Sequence, residues 1–469
     1  MTDVHPFWIA GRPEHGEGSV DVTHPFDGRL VATVSVPTAD QVQDLAALPA
    51  HARAAALDHV SRRLHERADE VADLIVAENG KPVKWARAEV ARAVSTFRWA
   101  AEEARRWSGT LQRLDTDQAG EGRVAVTRRF PKGPVLAIAP FNFPLNLVAH
   151  KVAPALAVGA PVLVKPAPAT PLCSLLLGEL LAETDLPAGA WSVLPVGNAD
   201  MPALVDDDRL PVVSFTGSGP VGWGIRDRVP RKHVTLELGG NAAAVICPDY
   251  SSDADLEHAA QRIAVFATYQ AGQSCVSVQR VLVDTSLVDR FVPRLLAAVR
   301  SLVVGDPRDP STDVGPLVSE DAARRVEAWV DEAVAAGATV LTGGTRHGAS
   351  VAPTVLTGVP ESAKVWCEEV FGPVLVVAPV AGVDEAFAVV NDSPYGLQAG
   401  VFTRDVRTAF RAHRELEVGG VVVGDVPSYR ADQMPYGGVK ESGVGREGLR
   451  SAMEDMTHEK VMVLSGIEL

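Results

Sequence analysis

The segment YQAGQSCVSVQR (269–280) holds one cysteine, Cys275, between a glycine-containing turn and an apolar stretch. A free cysteine is more often a small buried side chain than a nucleophile, and this segment alone leaves both interpretations open. Other segments contain groups that a nucleophilic thiol needs, because Asn142 and Lys165 each follow an apolar run and Glu237 precedes LGGN. A thiol, an amide donor for an oxyanion and a carboxylate base are the groups required for chemistry through a thioester.

These side chains must be positioned by strands that end at a shared edge. From residue 134 to 247, short β-branched runs such as PVLAIA, PVLVKP and HVTLEL alternate with helical patterns, and a second series of the same kind follows. Alternation of this kind predicts right-handed βαβ units and parallel sheets, whose carboxyl ends form the sites of α/β proteins. We therefore predict an α/β fold with two α/β domains and a cleft between them.

Segments outside these two series predict smaller elements. The first 36 residues alternate like short hairpins, and residues 50–107 have helical apolar spacing interrupted by NGKPV. The strand-like segments RVAVTRRFPKG (123–133) and HEKVMVLSGIEL (458–469) belong to neither series. They form either an arm that pairs across subunits or edge strands within one subunit.

Composition excludes several classes of function. Lys and Arg total 44 against 59 Asp and Glu, and the net charge of −15 disfavours nucleic acid and anionic membrane surfaces as partners. The first residues lack the features of a signal peptide, and the most apolar region is interrupted by Pro, Asn, His and Lys. The cysteines form no C-x-x-C pair, which predicts no disulfide framework, no metal site and a reducing cytoplasm. They are Cys173, Cys247, Cys275 and Cys367.

The segment FTGSGPVG (215–222) contains a G-x-G-x-x-G pattern, and Glu237 follows its first glycine by about 20 residues. One interpretation is a nucleotide-binding loop with Glu237 on the ribose. A single G-x-G-x-x-G is weak evidence, however, and the two glycines after Glu237 are typical of a strand that ends at a cleft. We favour Glu237 as a base and keep the ribose contact as the alternative.

Eight segments, taken in order, resemble the aldehyde dehydrogenase superfamily over nearly the whole chain. They are PFNFP, KPAPATP, FTGSGPVG, LELGGN, GQSC, EEVFGPV, NDSPYGLQAGVFT and MPYGGVKESGVGREG. The resemblance implies that Cys275 adds to an aldehyde carbonyl, that hydride passes to NAD or NADP, and that Glu237 activates water to hydrolyse the thioester. It also implies that the side chain of Asn142 and the backbone N–H of Cys275 hold the oxyanion.

The resemblance also implies the cofactor site. Lys165 and Glu369 fall where the family holds the ribose hydroxyls, and Phe371 falls beside the nicotinamide. The predicted cofactor residues are Pro140, Phe141, Lys165, Ala167, Pro168, Gly197, Phe215, Thr216, Gly217, Ser218, Val221, Leu238, Gly239, Glu369 and Phe371.

The chain departs from the family pattern at two positions near the site. Pro168 stands where many NAD-preferring members have a glutamate that would repel a 2′-phosphate, so we expect use of both NAD and NADP. Gly424 stands where relatives usually have asparagine, close to the substrate mouth. A polar turn, PDYSSD, accounts for a few extra residues between Glu237 and Cys275 and is expected at the surface.

The motif wording is closest to the branch of lactaldehyde, phosphonate-aldehyde and non-phosphorylating glyceraldehyde-phosphate dehydrogenases. Enzymes of that branch for phosphorylated or phosphonate aldehydes often have arginine where this chain has Ser274. Arg92 and Arg430 remain candidates to bind a carboxylate or phosphate, since arginine matches such groups with two hydrogen bonds. His150 is either a helix histidine with its own partner or a residue that lines the substrate tunnel.

The resemblance predicts an oxidoreductase that converts an aldehyde to a carboxylic acid, as a cytoplasmic homodimer or homotetramer. We predict a cofactor-binding domain over 1–113 and 133–238, a catalytic domain over 239–440, and a small β oligomerisation arm over 114–132 and 441–469. Two alternatives stay open. One is a coenzyme A-acylating relative, which Glu237 disfavours because such enzymes usually lack it, and the other is a non-catalytic binding protein of the same fold.

Overall fold

A computed structural model describes residues 4–15, 18–23, 26–27, 30–36, 49–187 and 189–466, and all statements of structure below concern those residues. Their strands are β1 (Val4–His5), β2 (Phe7–Ile9), β3 (Arg12–Glu14), β4 (Gly18–Thr23), β5 (Leu30–Val36), β6 (Leu111–Arg113), β7 (Arg123–Pro131), β8 (Val135–Ile138), β9 (Val162–Lys165), β10 (Trp191–Val193), β11 (Val212–Thr216), β12 (His233–Glu237), β13 (Ala243–Ile246), β14 (Arg280–Asp284), β15 (Thr339–Thr342), β16 (Arg346–His347), β17 (Ser350–Val351), β18 (Thr354–Thr357), β19 (Val374–Val380), β20 (Tyr395–Gly396), β21 (Gln398–Phe402), β22 (Gly420–Val423), β23 (Val439–Lys440), β24 (Gly443–Val444) and β25 (Thr457–Ser465). Their α-helices are α1 (Ala50–Glu66), α2 (Ala68–Asn79), α3 (Val83–Arg106), α4 (Asn146–Val158), α5 (Leu172–Ala182), α6 (Met201–Asp206), α7 (Gly219–Arg228), α8 (Asp253–Thr268), α9 (Val288–Arg300), α10 (Glu320–Ala335), α11 (Lys364–Cys367), α12 (Val383–Asn391), α13 (Val406–Glu415) and α14 (Leu449–Asp455).

The first large sheet has the order β24-β12-β11-β8-β9-β10-β2-β3. Strands β12, β11, β8, β9 and β10 run parallel, while β24 and β2 pair antiparallel at either side of them. The residues of β8 and β9 are buried throughout, as expected for parallel strands covered on both faces. Helix α4 is buried along its whole length, so it packs inside this domain rather than on its surface.

The second large sheet has the order β15-β18-β19-β14-β13-β21-β22, and all its pairs are parallel except β15 with β18. Alternate residues of β13 enter two different hydrophobic clusters: Ala243 and Val245 join one, while Ala244 and Ile246 join the other. Because side chains alternate across a strand, helices cover this sheet on both faces. Two α/β domains, as predicted, therefore lie in sequence along the chain.

A separate three-stranded sheet has the order β25-β7-β6. The described parts of both strand-like segments outside the two series lie in it, where β25 (Thr457–Ser465) pairs with β7 (Arg123–Pro131) within one chain, and residues 467–469 lie outside the described residues. Two strands lie in a different sheet from the one that the predicted domain boundaries imply. β6 (Leu111–Arg113) falls in the predicted cofactor-binding domain but joins this three-stranded sheet. β24 (Gly443–Val444) falls in the predicted arm but joins the first large sheet. The division into domains by residue number stays a prediction.

Two smaller features complete the fold. The early strands β1, β5 and β4 form a sheet in which β4 and β5 are antiparallel, as the alternating pattern predicts, and the short pairs β16-β17 and β20-β23 are antiparallel as well. No helix of the described residues is both long and apolar enough to cross a bilayer. Proline is favoured in the first turn of a helix, so the segment PFNFP predicts a helix that begins with Pro144. This prediction is wrong, because residues 141–145 form bends and turns and α4 begins at Asn146.

Candidate active site

The carboxyl ends of four neighbouring strands of the first sheet open into one large cavity of about 930 Å³. The residues after β8, together with Lys165 at the end of β9, Thr216 at the end of β11 and Glu237 at the end of β12, all line it. Cys275 lines the same cavity from the second domain. The topology therefore brings the thiol, the amide and the carboxylates together, although they are far apart in the sequence.

The loop that precedes the nucleophile has an unusual backbone. Gln270, Ala271 and Gly272 are consecutive residues with positive φ angles of 55°, 54° and 73°. Residues other than glycine rarely adopt this conformation, and its cost persists only where the surrounding structure imposes it. A Cβ atom on Gly272 would lie 2.0 Å from the carbonyl oxygen of Gly372, so this position requires glycine. The side chain of Gln270 bonds to Asn79 at the end of α2, which ties the loop to the first domain.

The thiol of Cys275 is half-buried and does not ionise easily. Burial raises its pKa to about 12, and the nearby carboxylates of Glu369 and Glu237 act in the same direction. The hydroxyl of Tyr436 lies 3.1 Å from Cys275 Sγ and acts in the opposite direction. Since the thiolate is the reactive form, the site must supply groups that favour it during the reaction.

The amide of Asn142 faces the nucleophile loop. Its Nδ2 donates to the carbonyl oxygen of Gln273 at 2.9 Å, and its Oδ1 is buried with no hydrogen-bond partner among the described residues. An amide nitrogen has two hydrogens, so one stays available for an oxyanion near Cys275.

A buried ion pair fixes the backbone around Asn142. Lys81 Nζ donates to the carbonyl oxygen of Asn142 at 2.9 Å and pairs with Glu89. Glu89 Oε1 in turn accepts from the backbone nitrogens of Leu145 and Asn146, each at 3.0 Å. Those N–H groups lie at the start of α4, where a helix leaves its first donors unsatisfied. This explains why α4 begins at Asn146 rather than at Pro144.

Glu237 is the carboxyl group best suited to act as a base. It is buried, and neither of its side-chain oxygens has a hydrogen-bond partner in the described structure. Burial raises its pKa well above the ordinary value, and repulsion from Glu447 adds to the effect. A carboxyl group with a raised pKa and free oxygens is suited to general base catalysis near neutral pH.

Behind Glu237 lies a charged group made of Arg430, which the sequence predicts as a candidate, and of Lys151 and Glu447, which it does not. Glu447 bonds to Lys151 Nζ at 2.9 Å and to Arg430 Nη2 at 3.1 Å, and all of these side chains are buried. Burial opposes ionisation of Glu447, but the two cations hold its pKa at about 2. A lysine inside the apolar helix sequence LVAHKVAPALAV is the signal by which this group was detectable.

Nearly all of the predicted cofactor residues lie along the cavity. Only Gly197 is not part of its lining, while its neighbour Asn198 is and accepts a 2.8 Å hydrogen bond from Lys165. Burial lowers the pKa of Lys165 to about 8 and raises that of Glu369, which accepts from the Gly240 nitrogen at 3.0 Å, to about 7.

Two features of the cavity wall formed by the predicted cofactor residues suit a dinucleotide. Helix α7 begins directly after Ser218, and Ser218 and Pro220 line the cavity, so the N-terminus of this helix, which favours an anion such as a pyrophosphate, lies at the cavity wall. The buried hydroxyl of Thr216 has no partner within the described residues and lines the same wall.

The predicted substrate residues lie outside the lining of the large cavity. His150 is 1% exposed and its Nε2 lies 3.3 Å from Asp432, so it is a helix histidine with its own partner, and the tunnel-lining interpretation is not supported by its position. Arg92 bonds to the same carboxylate through two nitrogens, at 3.0 and 3.1 Å. Ser274 is buried beside Cys275.

Arg430 differs from Arg92 in its surroundings. It is 7% exposed, its guanidinium lies 3.9 Å from the ring centre of Tyr436, and its Nε has no partner among the described residues. Gly424 has a φ of +75°, with open space around its Cβ position. Glycine and asparagine are the residues that most readily adopt this conformation, so the asparagine expected from the resemblance would also fit this backbone.

No group of three or more His, Cys, Asp or Glu side chains that could hold a metal ion occurs in the described ranges. What the arrangement provides is a thiol, an amide donor, a free carboxyl group and a long cavity suited to a dinucleotide.

The chain is similar to several known proteins over nearly its whole length. The model of a family described as "Aldehyde dehydrogenase family" matches residues 13–462. A 3-sulfolactaldehyde dehydrogenase from Priestia aryabhattai is 42% identical over 477 residues, which cover 99% of this chain and 99% of that relative. The crystal structure of aldehyde dehydrogenase 21 from Physcomitrella patens, in complex with the reaction product succinate, superposes with a TM-score of 0.97 at 42% identity, covering 100% of this chain and 99% of that one. An NADP-dependent glyceraldehyde-3-phosphate dehydrogenase from Bacillus halodurans C-125, complexed with NADP, gives a TM-score of 0.93 at 31% identity, covering 99% of this chain and 100% of that one.

Proposed function

This chain belongs to the aldehyde dehydrogenase family, and on that premise we propose which residues perform its reaction and which aldehydes it takes. It is an oxidoreductase that converts an aldehyde to a carboxylic acid with NAD or NADP. Cys275 is the nucleophile, Asn142 supplies an oxyanion donor, and Glu237 is the general base. These roles are supported by the presence of the three side chains on the lining of one cavity.

The reaction proceeds in two half-reactions. The thiolate of Cys275 bonds to the aldehyde carbon, and the carbonyl oxygen becomes an oxyanion held by the free Nδ2 hydrogen of Asn142 and by the backbone N–H of Cys275. Loss of one such donor typically costs about 3–4 kcal/mol of barrier. The hydride would leave this carbon for the nicotinamide of NAD or NADP, which the residues lining the cavity would hold. The carbonyl then re-forms as a thioester on Cys275.

Hydrolysis of the thioester depends on Glu237. Its carboxylate takes a proton from a water molecule, the water oxygen bonds to the thioester carbon, and the bond from carbon to Cys275 Sγ breaks. The carboxylic acid leaves and the thiolate is regenerated. Because both oxygens of Glu237 are uncommitted, it can take this proton without first breaking a hydrogen bond.

We further infer that the preferred aldehydes carry an anionic group at the end remote from the carbonyl. The observation that favours this is Arg430, which is buried, keeps Nε unpaired, and stacks on the tyrosine that contacts Cys275. Two cations, Lys151 and Arg430, share the single carboxylate of Glu447, which leaves positive charge to attract an anion. The names of the similar proteins include a sulfonate substrate, a dicarboxylate product and a phosphorylated substrate.

The test compares two aldehydes of equal length, succinate semialdehyde and butanal. A hydrogen bond to a charged group contributes ~1.5–3 kcal/mol, and about 1.4 kcal/mol corresponds to tenfold. We therefore expect the wild type to prefer the semialdehyde by about 10- to 100-fold in kcat/KM. Arg430→Gln should remove most of this preference, and the rate with butanal reports any general damage.

Arg92→Gln is the matched control, since Arg92 is already bonded to Asp432 through two nitrogens. It should keep the preference. Equal kcat/KM values for the two aldehydes in the wild type would refute the anionic substrate, and loss of preference in Arg92→Gln alone would assign the role to the other arginine.

We also propose a cytoplasmic homodimer or homotetramer that associates through the sheet of β6, β7 and β25. Apolar side chains exposed on that sheet support the assembly: Leu111, Val461, Met462 and Val463 are each at least half exposed, at 61%, 65%, 53% and 50%.

A further inference from the structure

Tyr436 is held rigidly beside the nucleophile. Its side chain is 5% exposed and packs with Val276 and Leu397 in a small apolar cluster against Cys275. Its backbone exchanges two hydrogen bonds with Glu447, at 3.0 and 2.7 Å. The hydroxyl of Tyr436 and the sulfur of Cys275 lie 3.1 Å apart. The phenol therefore contacts the reacting atom itself.

The chemistry of the two groups decides which one donates. Burial raises the pKa of Tyr436 well above its ordinary value, so the phenol keeps its proton at neutral pH. A thiolate has no proton to give and accepts hydrogen bonds from neutral donors. The guanidinium of Arg430 lies 3.9 Å from the ring centre and attracts its π electrons, which makes the O–H a better donor.

The other charged and titratable groups that face Cys275 do not perform this task. Glu237, at the end of β12, and Glu369, before β19, both oppose a negative charge on the sulfur. Arg430 favours that charge from behind the tyrosine ring, without a hydrogen bond to the sulfur. Within the described structure, the side chain of Cys275 forms its hydrogen bond with the hydroxyl of Tyr436.

We propose that Tyr436 is a catalytic residue whose hydroxyl donates a hydrogen bond to the Cys275 thiolate and so increases the fraction of reactive thiolate at neutral pH. The proton of the resting thiol leaves to solvent, and Tyr436 remains protonated throughout. The same donor stabilises the thiolate when it departs from the thioester, so it acts in both half-reactions. This second role rests on the proposed function of Cys275.

The test is the pH dependence of alkylation of Cys275 by iodoacetamide, followed by mass spectrometry of the peptide that contains it. Tyr436→Phe keeps the ring, its packing and its contact with Arg430 but removes the donor. We expect the alkylation rate between pH 7 and pH 9 to fall about tenfold, which corresponds to a rise of about one unit in the thiol pKa. A profile that superimposes on that of the wild type would overturn the proposal.

Two further proteins make the result specific. Tyr250→Phe removes a phenol hydroxyl from the hydrophobic core of the second domain, where its ring packs on Phe402, and should leave the profile unchanged. Fluorotyrosine at position 436 keeps the hydroxyl and makes it more acidic, hence a stronger donor, and should raise the alkylation rate. A lower rate with fluorotyrosine would contradict the proposal even if the phenylalanine variant failed to fold.

Alkylation is measured without aldehyde or cofactor, so this proposal can fail while Cys275 remains the nucleophile. The roles proposed for the site fail in a different way, if Cys275→Ala still oxidises aldehyde. The two failures are therefore distinguishable.

Discussion

A buried carboxyl group that bonds to nothing is costly, and Glu237 is such a group. Burial and the repulsion of Glu447 both disfavour its charge, so its resting form is stabilised as the neutral acid. Deprotonation becomes easier as the pH rises, which means that the hydrolysis step should speed up with pH. The proposed role accounts for this free-energy cost of burial, because the two free oxygens of Glu237 can then accept a hydrogen bond from the water molecule that hydrolyses the thioester.

Glu237→Gln should separate the two half-reactions. The glutamine has nearly the same shape but cannot accept the proton of water, so thioester formation should continue while hydrolysis slows. We expect a burst of about one equivalent of reduced cofactor per site, then a slow steady state. Rapid-mixing absorbance measures the burst, and mass spectrometry should find the thioester on the peptide of Cys275. A defect only in cofactor affinity, with no burst, would instead support the ribose contact.

At the residue scale, prediction from the sequence succeeds where a side chain stands in a distinctive motif. Cys275, Asn142 and Glu237 stand in such motifs, and the structure places all three on one cavity. Lys151 and Glu447 were missed because their relation is purely spatial: α4 and the loop before α14 meet only in the folded chain. Tyr436 was missed for the same reason, since its contact with the sulfur depends on packing of the two domains' loops.

At the element scale, the link between β12 and β13 brings base and nucleophile together. The link contains two glycines, and a Cβ atom on Gly240 would lie 2.3 Å from the carbonyl oxygen of Cys275. No side chain fits there unless one of the two backbones moves. The loop that holds Cys275 can therefore lie this close to the link after Glu237 only because residue 240 is glycine.

Gly240→Ala should displace the nucleophile loop relative to Glu237. We expect kcat to fall at least about tenfold, because small misplacements of reacting groups are costly, and unfolding stability to fall by ~1–3 kcal/mol. Steady-state rates at saturating cofactor and thermal unfolding measure the two effects. Gly224→Ala is a control for stability only, since its Cβ meets nothing within 4 Å and alanine favours a helix, whereas its place on the cavity wall makes it unsuitable as a control for kcat. Normal kcat in Gly240→Ala would show that the loops tolerate the added methyl group.

The βαβ alternation predicted both large sheets, because parallel strands covered by helices have a plain apolar pattern. Sequence did not reveal the left-handed run at Gln270, Ala271 and Gly272, since two of these residues ordinarily avoid that conformation. Tertiary contacts impose this left-handed conformation, and the conformational propensities of the individual residues do not predict such contacts. The start of α4 was misplaced for a similar reason, because its first N–H groups are satisfied by Glu89 from another helix.

At the scale of the whole molecule, the sheet of β6, β7 and β25 presents apolar side chains to solvent. Val461 and Val463 alternate along one face of β25, and both are at least half exposed. Such a face is expected to be covered by a second copy of the chain.

Replacing both valines by glutamate should dissociate the assembly without unfolding the two large sheets, because these side chains lie outside the main hydrophobic clusters. Light scattering coupled to size-exclusion chromatography measures the mass in solution. Glu459→Gln, on the same strand, should leave the mass unchanged. A wild-type protein that elutes as a monomer would rule out the proposed arm contact.

The pairing of late with early strands has a consequence for how the protein is made. β24 completes the edge of the first sheet beside β12, and β25 pairs along the full length of β7. β12 and β7 each pair on one side with a strand translated earlier, but on the other side they lack a neighbour until the ribosome has translated residues 443–465. The helices and strands between residues 238 and 442 can already fold by then. Until then β7 offers an open edge to other nascent chains, and open edges promote aggregation. Translation that stalls shortly before these residues should therefore yield a polypeptide whose β7 edge stays open and that depends on chaperones.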